Sequence, residues 1–200
     1  MLKLVVLISG SGSNLRALLE ACDSGSLPAT VVAVGADNQA PGLAHAREFG
    51  VNTSVVEPSE YANREAWGQA FLAAIETYGP DLVVSAGLMR ILPADVVRAL
   101  SPRLINTHPA LLPLFPGAHA VRDALAAGAK ETGVTVHVID EGVDTGPVIR
   151  QAKVQIEPGD TETELHERIK VVERQLLVDV IRDIAENNIN LEELNPHGRP

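Results

Sequence analysis

Apolar runs of four to eight residues, rich in Val and Leu, recur five times in the first half of the chain, and stretches of helical spacing separate them. The runs at Leu2–Ser9, Thr30–Ala36, Val51–Val56, Asp81–Ala86 and Leu104–Thr107 read as buried strands, because each stops at Gly, Asp, Asn or Pro. Helices are expected at Asn14–Ser24, Pro41–Phe49, Ser59–Tyr78 and Pro93–Leu100, with Pro41 and Pro93 in first turns, where a missing N–H costs nothing. Strand and helix in alternation imply right-handed crossovers and a parallel sheet. Aromatic residues make up only 3% of the chain, so Ala, Val, Leu and Ile must fill the interior, as they do in helix-covered parallel sheets.

The pattern changes after Pro109. LLPLFPG is a proline-punctuated loop, followed by a short helix at Ala118–Ala127 and two strands, Thr132–Asp140 and Gly146–Ile156, joined by the turn EGVDTGP. A closing helix is expected from Thr161 to Asn188, where Thr161 and Glu164 form a capping box and Leu165, Ile169, Val172, Leu176, Val180 and Ile184 make one apolar face. Ile189–Pro200 lacks periodicity and reads as a frayed tail. The expected architecture is a single α/β domain over residues 1–200: a Rossmann-like, mostly parallel sheet with flanking helices, closed by an antiparallel hairpin and a long helix.

A chain of 200 residues, 46% hydrophobic, buries a core without disulfide or metal staples. Its 26 acids and 16 bases give a net charge of −10, which repels nucleic acid and anionic membranes at long range. No partner of either kind is expected, and an anionic ligand must be held by a local device. The lone Cys22 has no disulfide partner, the opening MLKLVVLISGSGSN lacks the features of a signal peptide, and no apolar run approaches the ~18 residues of a membrane span. A cytoplasmic protein acting on small molecules is expected, with monomer and homodimer both open.

ISGSGSNL is such a device. Gly10 and Gly12 allow close backbone approach, Ser11 and Ser13 add hydroxyls, and Ser13 or Asn14 is placed to cap a helix whose first amides attract an anion. A dinucleotide-binding turn is the alternative, with Asp37 as its ribose acid. Leu15 stands where the third glycine of that motif would be, which favours a monophosphate.

LINTHPALLP carries the chemistry. Residues two apart on a strand share a face, so Asn106 and His108 point together beyond the strand end, and Pro109 keeps His108 extended. An imidazolium beside a carboxamide suits an oxyanion developing on an attacked carbonyl. A charged His requires a carboxylate neighbour, and Asp140, Glu141 and Asp144 on the DEGVDTGP turn are candidates. His137 alternates within an apolar strand and reads as core, while His45, His166 and His197 read as surface. No metal-ligand spacing is present, so no catalytic metal is expected.

The combination ISGSGSNL, SAGLMRIL, INTHPALLP-x-x-PG-x-HA and VHVID through DTGPVI resembles the phosphoribosylglycinamide formyltransferases, within the folate-dependent formyltransferases, over essentially the whole chain. The resemblance implies direct formyl transfer from 10-formyltetrahydrofolate, as co-substrate, to the amine of glycinamide ribonucleotide, with Asn106, His108 and Asp144 as catalytic residues. It implies further that Gly12, Ser13 and Asn14 hold the ribonucleotide phosphate and that Lys170 and Glu173 complete that site. Arg64, Met89, Arg90, Ile91 and Leu92 are implied for the folate, together with Asn106 and the turn Asp140, Glu141, Gly142, Val143 and Asp144. It also implies a cis bond at Leu112–Pro113 and a role for His119 near the phosphate or the loop. Leu114 and Val121 depart from the family pattern, where basic and polar residues are common. Rival readings are a formyltetrahydrofolate hydrolase, a formyltransferase acting on aminoacyl-tRNA, which the acidic composition disfavours, and a non-catalytic nucleotide-binding module.

Overall fold

The computed structural model describes residues 1–194. Seven strands form one sheet in the order β3-β2-β1-β4-β5-β6-β7. These are β1 (Leu2–Ile8), β2 (Ala29–Ala36), β3 (Asn52–Val55), β4 (Leu82–Ser85), β5 (Leu104–His108), β6 (Glu131–Val138) and β7 (Val148–Gln155). The first five are parallel, whereas β6 and β7 run antiparallel as the expected hairpin. The chain winds from β1 out to β3, then returns to the other side of β1 with β4. That reversal opens a crevice beyond the carboxyl ends of β1 and β4, where ligands bind in open α/β sheets.

On one face of the sheet α1 (Ser13–Asp23), α2 (Leu43–Glu48), α5 (Ala120–Ala126) and α6 (Glu162–Ala185) pack over Leu4, Val6, Ile105 and Val136. The other face carries α3 (Arg64–Glu76) and α4 (Ala94–Leu100) over Val5, Leu7, Val83 and Leu104, with Trp67 and Phe71 stacked at 5.1 Å between ring centres. Leu165, Ile169, Leu177, Val180 and Ile181 of α6 are wholly buried. At ~1.5–3 kcal/mol for each such side chain, this stripe holds the long helix across the sheet.

Element boundaries differ from the sequence reading for local reasons. The helix expected at Ser59–Tyr78 divides into a 3-10 turn at Pro58–Glu60 and α3, because Asn63 is extended and its side chain accepts the Ala66 N–H at 2.8 Å. Pro41 lies ahead of α2, and Pro93 caps α4 with an extended ψ of 148° rather than occupying the first turn. At the start of α6 the Thr161–Glu164 capping box is present on both sides. The helix stops at Ala185, two residues before Asn187 turns left-handed at φ 60°. Within the expected frayed tail, Leu191–Leu194 form a short helix, α7; His197 lies outside the described residues. Leu112–Pro113 is cis, as is Ser101–Pro102.

Candidate active site

A cleft of about 510 Å³ opens at the strand ends, and Asn106, His108, Asp144 and the stretches 87–92 and 140–143 line it together. Asn106 and His108 face the α3 side of β5, while Thr107 between them turns toward α6 and donates to Glu173 Oε1 at 2.9 Å. One strand end therefore serves both faces of the sheet.

His108 is buried, with Nε2 2.9 Å from the Phe115 carbonyl and Nδ1 3.4 Å from Asp144 Oδ2. Each ring nitrogen thus faces an oxygen atom, one of the backbone and one of a carboxylate. Asp144 is brought there by the DEGVDTGP turn, in which Thr145 donates to Asp140 at 2.7 Å and a Cβ on Gly146 would collide with the Val138 carbonyl. Asp144 itself adopts φ 54°, a left-handed conformation that aspartate tolerates better than most residues. Its Oδ2 accepts the Gly117 N–H at 2.7 Å and its Oδ1 lies 3.7 Å from His137 Nε2. His137 first, then the Gly117 N–H and the charge on His108, hold this carboxyl down to about 2 against the opposing effect of burial.

His137 is thus not the plain core residue its apolar strand suggested. The antiparallel register sets it directly opposite Asn106, whose Nδ2 lies 3.2 Å from His137 Nε2. His137 Nδ1 donates to the Val138 carbonyl at 3.0 Å, leaving Nε2 to accept from Asn106 when neutral and to face Asp144 when charged. Alternation alone places His137 on the same face as Thr135; only strand pairing reveals what lies across from it. Thr135 orders the proline-rich loop, donating to the Ala110 carbonyl at 2.7 Å and accepting the Leu112 N–H at 3.0 Å.

Residues 2–181 match the family described as formyl transferase. The chain belongs to the formyl transferase family. It is 49% identical to the phosphoribosylglycinamide formyltransferase of Mycobacterium tuberculosis over 94% of this chain and 87% of that one. The enzyme of the same name from Escherichia coli is 40% identical over 96% of this chain and 91% of its own. In structure, glycinamide ribonucleotide transformylase 1 from Symbiobacterium toebii superposes with a TM-score of 0.93 at 42% identity, covering 97% of this chain and 92% of that one.

Within this formyl transferase chain the remaining expected residues separate into two groups. Met89, Arg90, Ile91 and Leu92 wall the cleft, and Arg64, exposed at the start of α3, donates to the Ile91 and Leu92 carbonyls at 3.0 and 2.9 Å. Arg64 thereby ties the start of α3 to that loop and is not itself among the residues that line the cleft. Glu141 pairs with Arg98 at 2.9 Å across the rim.

The glycine-rich loop lies beside the cleft. Gly12, not Ser13 or Asn14, takes the cap position of α1, left-handed at φ 72° and without a side-chain cap. A Cβ there would stand 3.0 Å from the Gly42 Cα in a left-handed conformation, so a side chain at this position is strained. Asn14 Oδ1 is buried without a hydrogen-bond partner among the described residues. Glu173 is buried against Thr107, whereas Lys170 pairs with Glu167 at 2.7 Å, so the two do not form a surface pair with each other.

The disfavoured dinucleotide alternative loses its acid, and two histidines expected at the surface are corrected. Asp37 offers no ribose acid, because both carboxylate oxygens are engaged by Ser9, Asn38 and Arg90. His166 is half-buried and lines the cleft, as does His119. His45 is half-buried, 3.4 Å from Arg16 at the foot of the glycine-rich loop. Among the described residues no cluster of three His, Cys, Asp or Glu is arranged to hold a metal ion, and no helix is long and apolar enough to cross a membrane.

Proposed function

We propose that this chain, acting as one formyltransferase domain in the cytoplasm, transfers the formyl group of 10-formyltetrahydrofolate to the amine of glycinamide ribonucleotide, a step of purine synthesis. The observation that carries the reading is the convergence of His108, Asn106 and Asp144 at the strand end, between a cleft sized for a folate and a glycine-rich loop suited to a phosphate.

The neutral amine nitrogen attacks the formyl carbon, forming a C–N bond while the carbonyl π pair moves onto oxygen. Asn106 and protonated His108 stabilise that oxyanion, and preorganised donors of this kind are each worth about 10²–10³ in rate. Collapse breaks the bond to N10 of the folate; the amine gives up one proton and N10 gains one, with the Asp144 carboxylate as the relay. Met89–Leu92 and Asp140–Val143 hold the folate; Gly12, Ser13 and Asn14, with Lys170, hold the phosphate, and Glu173 receives the glycinamide end of the acceptor.

Depletion of 10-formyltetrahydrofolate followed by absorbance, with and without glycinamide ribonucleotide, tests the reading. Formyl transfer requires the ribonucleotide and yields formylglycinamide ribonucleotide by mass; loss of the formyl group at equal rate without it would identify a hydrolase instead.

A further inference from the structure

We propose that Asp37 is a positioning residue which, through Ser9 and Arg90, couples occupation of the ribonucleotide loop to occupation of the folate loop; the inference rests on the formyl-transfer reading above. Asp37 follows β2 and is 4% exposed. Its Oδ1 accepts from Ser9 Oγ at 2.7 Å and from Asn38 Nδ2 at 2.9 Å, and its Oδ2 accepts from Arg90 Nε at 2.8 Å. Ser9 Oγ in turn accepts the Met89 N–H at 2.8 Å, and the Ser9 N–H donates to the Gly87 carbonyl at 3.0 Å. Asn38 returns a bond to the Ser9 carbonyl at 3.2 Å.

The residue after Ser9 opens the glycine-rich loop, and its carbonyl accepts the Gly42 N–H at 2.9 Å. One buried carboxylate therefore ties the root of the phosphate loop to the wall of the folate cleft. Arg90, which lines the cleft, has its guanidinium 5.5 Å over the Trp67 ring and Nε on Asp37, so both contacts fix this half-exposed side chain.

Ligands that order a loop lose conformational freedom in doing so. An anion gripped by the amides beyond Gly10 fixes the end of β1, including the Ser9 hydroxyl that holds Met89. The folate then meets a loop already ordered, so the ordering cost is incurred once for two ligands. Such sharing makes each ligand raise the affinity for the other by the same factor.

Calorimetric titration of glycinamide ribonucleotide into the full chain, alone and with saturating tetrahydrofolate, measures that factor. The parent is expected to bind the ribonucleotide at least about fivefold more tightly with tetrahydrofolate present. Ser9→Ala and Asp37→Asn keep ribonucleotide affinity alone within about twofold, while the factor falls toward one. Asp37→Asn, which frees Arg90, also raises the tetrahydrofolate Kd about tenfold, whereas Ser9→Ala, which keeps the Arg90 pair, changes it less. A general loss of structure would weaken both ligands together instead. Should Asp37→Asn fail to fold, Ser9→Ala decides alone, since it removes one hydroxyl from a half-buried site. Parental coupling in Ser9→Ala, or a parent that binds both ligands without coupling, overturns this proposal and leaves the formyl-transfer reading intact. A parent that binds neither ligand overturns both.

Discussion

Replacing Asp144 with Asn keeps the shape of the side chain and removes its charge, and the consequence for stability follows from its surroundings. His137, the Gly117 N–H and the charge on His108 lower its pKa from the ordinary 3.8 to about 2. The side chain is only 14% exposed, so solvent screens these contacts weakly. A folded-state pKa below the unfolded one means that the ionised carboxyl favours folding. The contribution is complete above the unfolded pKa and is lost as pH falls through about 2. At about 1.4 kcal/mol per tenfold, it amounts to about 2 kcal/mol at about pH 5.5 and about 1 kcal/mol at about pH 3. Every other carboxylate is common to both proteins and cancels in the difference. Urea unfolding of parent and Asp144→Asn at the two pH values is expected to show the parent's advantage shrinking by about 1 kcal/mol. An advantage that stays constant, or grows on acidification, would refute the assignment of Asp144 as the carboxylate held between the two histidines. The same variant should lose about 10²-fold or more in kcat, as expected when a group engaged in proton transfer is neutralised.

Two other substitutions separate the parts of the site. His137→Ala removes the partner of Asn106 and should lower kcat by about tenfold to 10²-fold with little change in either KM, measured by steady-state kinetics, because a misplaced amide costs transition-state rather than ground-state contacts. Gly12→Ala forces a Cβ into a left-handed position 3.0 Å from the Gly42 backbone. It should destabilise the chain by about 1–2 kcal/mol in denaturant titration and weaken ribonucleotide binding while folate affinity is retained.

What the sequence made legible, and what it hid, follows from how local each signal is. The parallel strands, the Thr161 capping box and the crevice residues Asn106 and His108 are announced by alternation, by a three-residue capping spacing and by position at a strand end. The Asp144 partner was narrowed to one short turn because a tight, glycine-flanked acidic segment can reach back to the strand end. His137 was hidden because its pattern is that of a core residue, and its role comes from the register that sets it across from Asn106. Asp37 stands where a dinucleotide-binding turn would carry its ribose acid; Leu15 in place of the third glycine already disfavours that motif, and Arg90, far away in sequence, claims the second carboxylate oxygen. Ser13 and Asn14 looked like caps by residue type, whereas the close backbone of Gly42 reserves that position for Gly12. Long-range pairing decides these cases, and no local window contains it.

In the proposed transfer His108 is the charged donor to the formyl oxygen, and turnover of His108→Ala with 10-formyltetrahydrofolate and glycinamide ribonucleotide tests that role most directly. With the fold verified by circular dichroism, kcat should fall by about 10²–10³-fold while the KM for each substrate changes by no more than about threefold. A folded His108→Ala protein turning over at close to the parental rate would contradict the account.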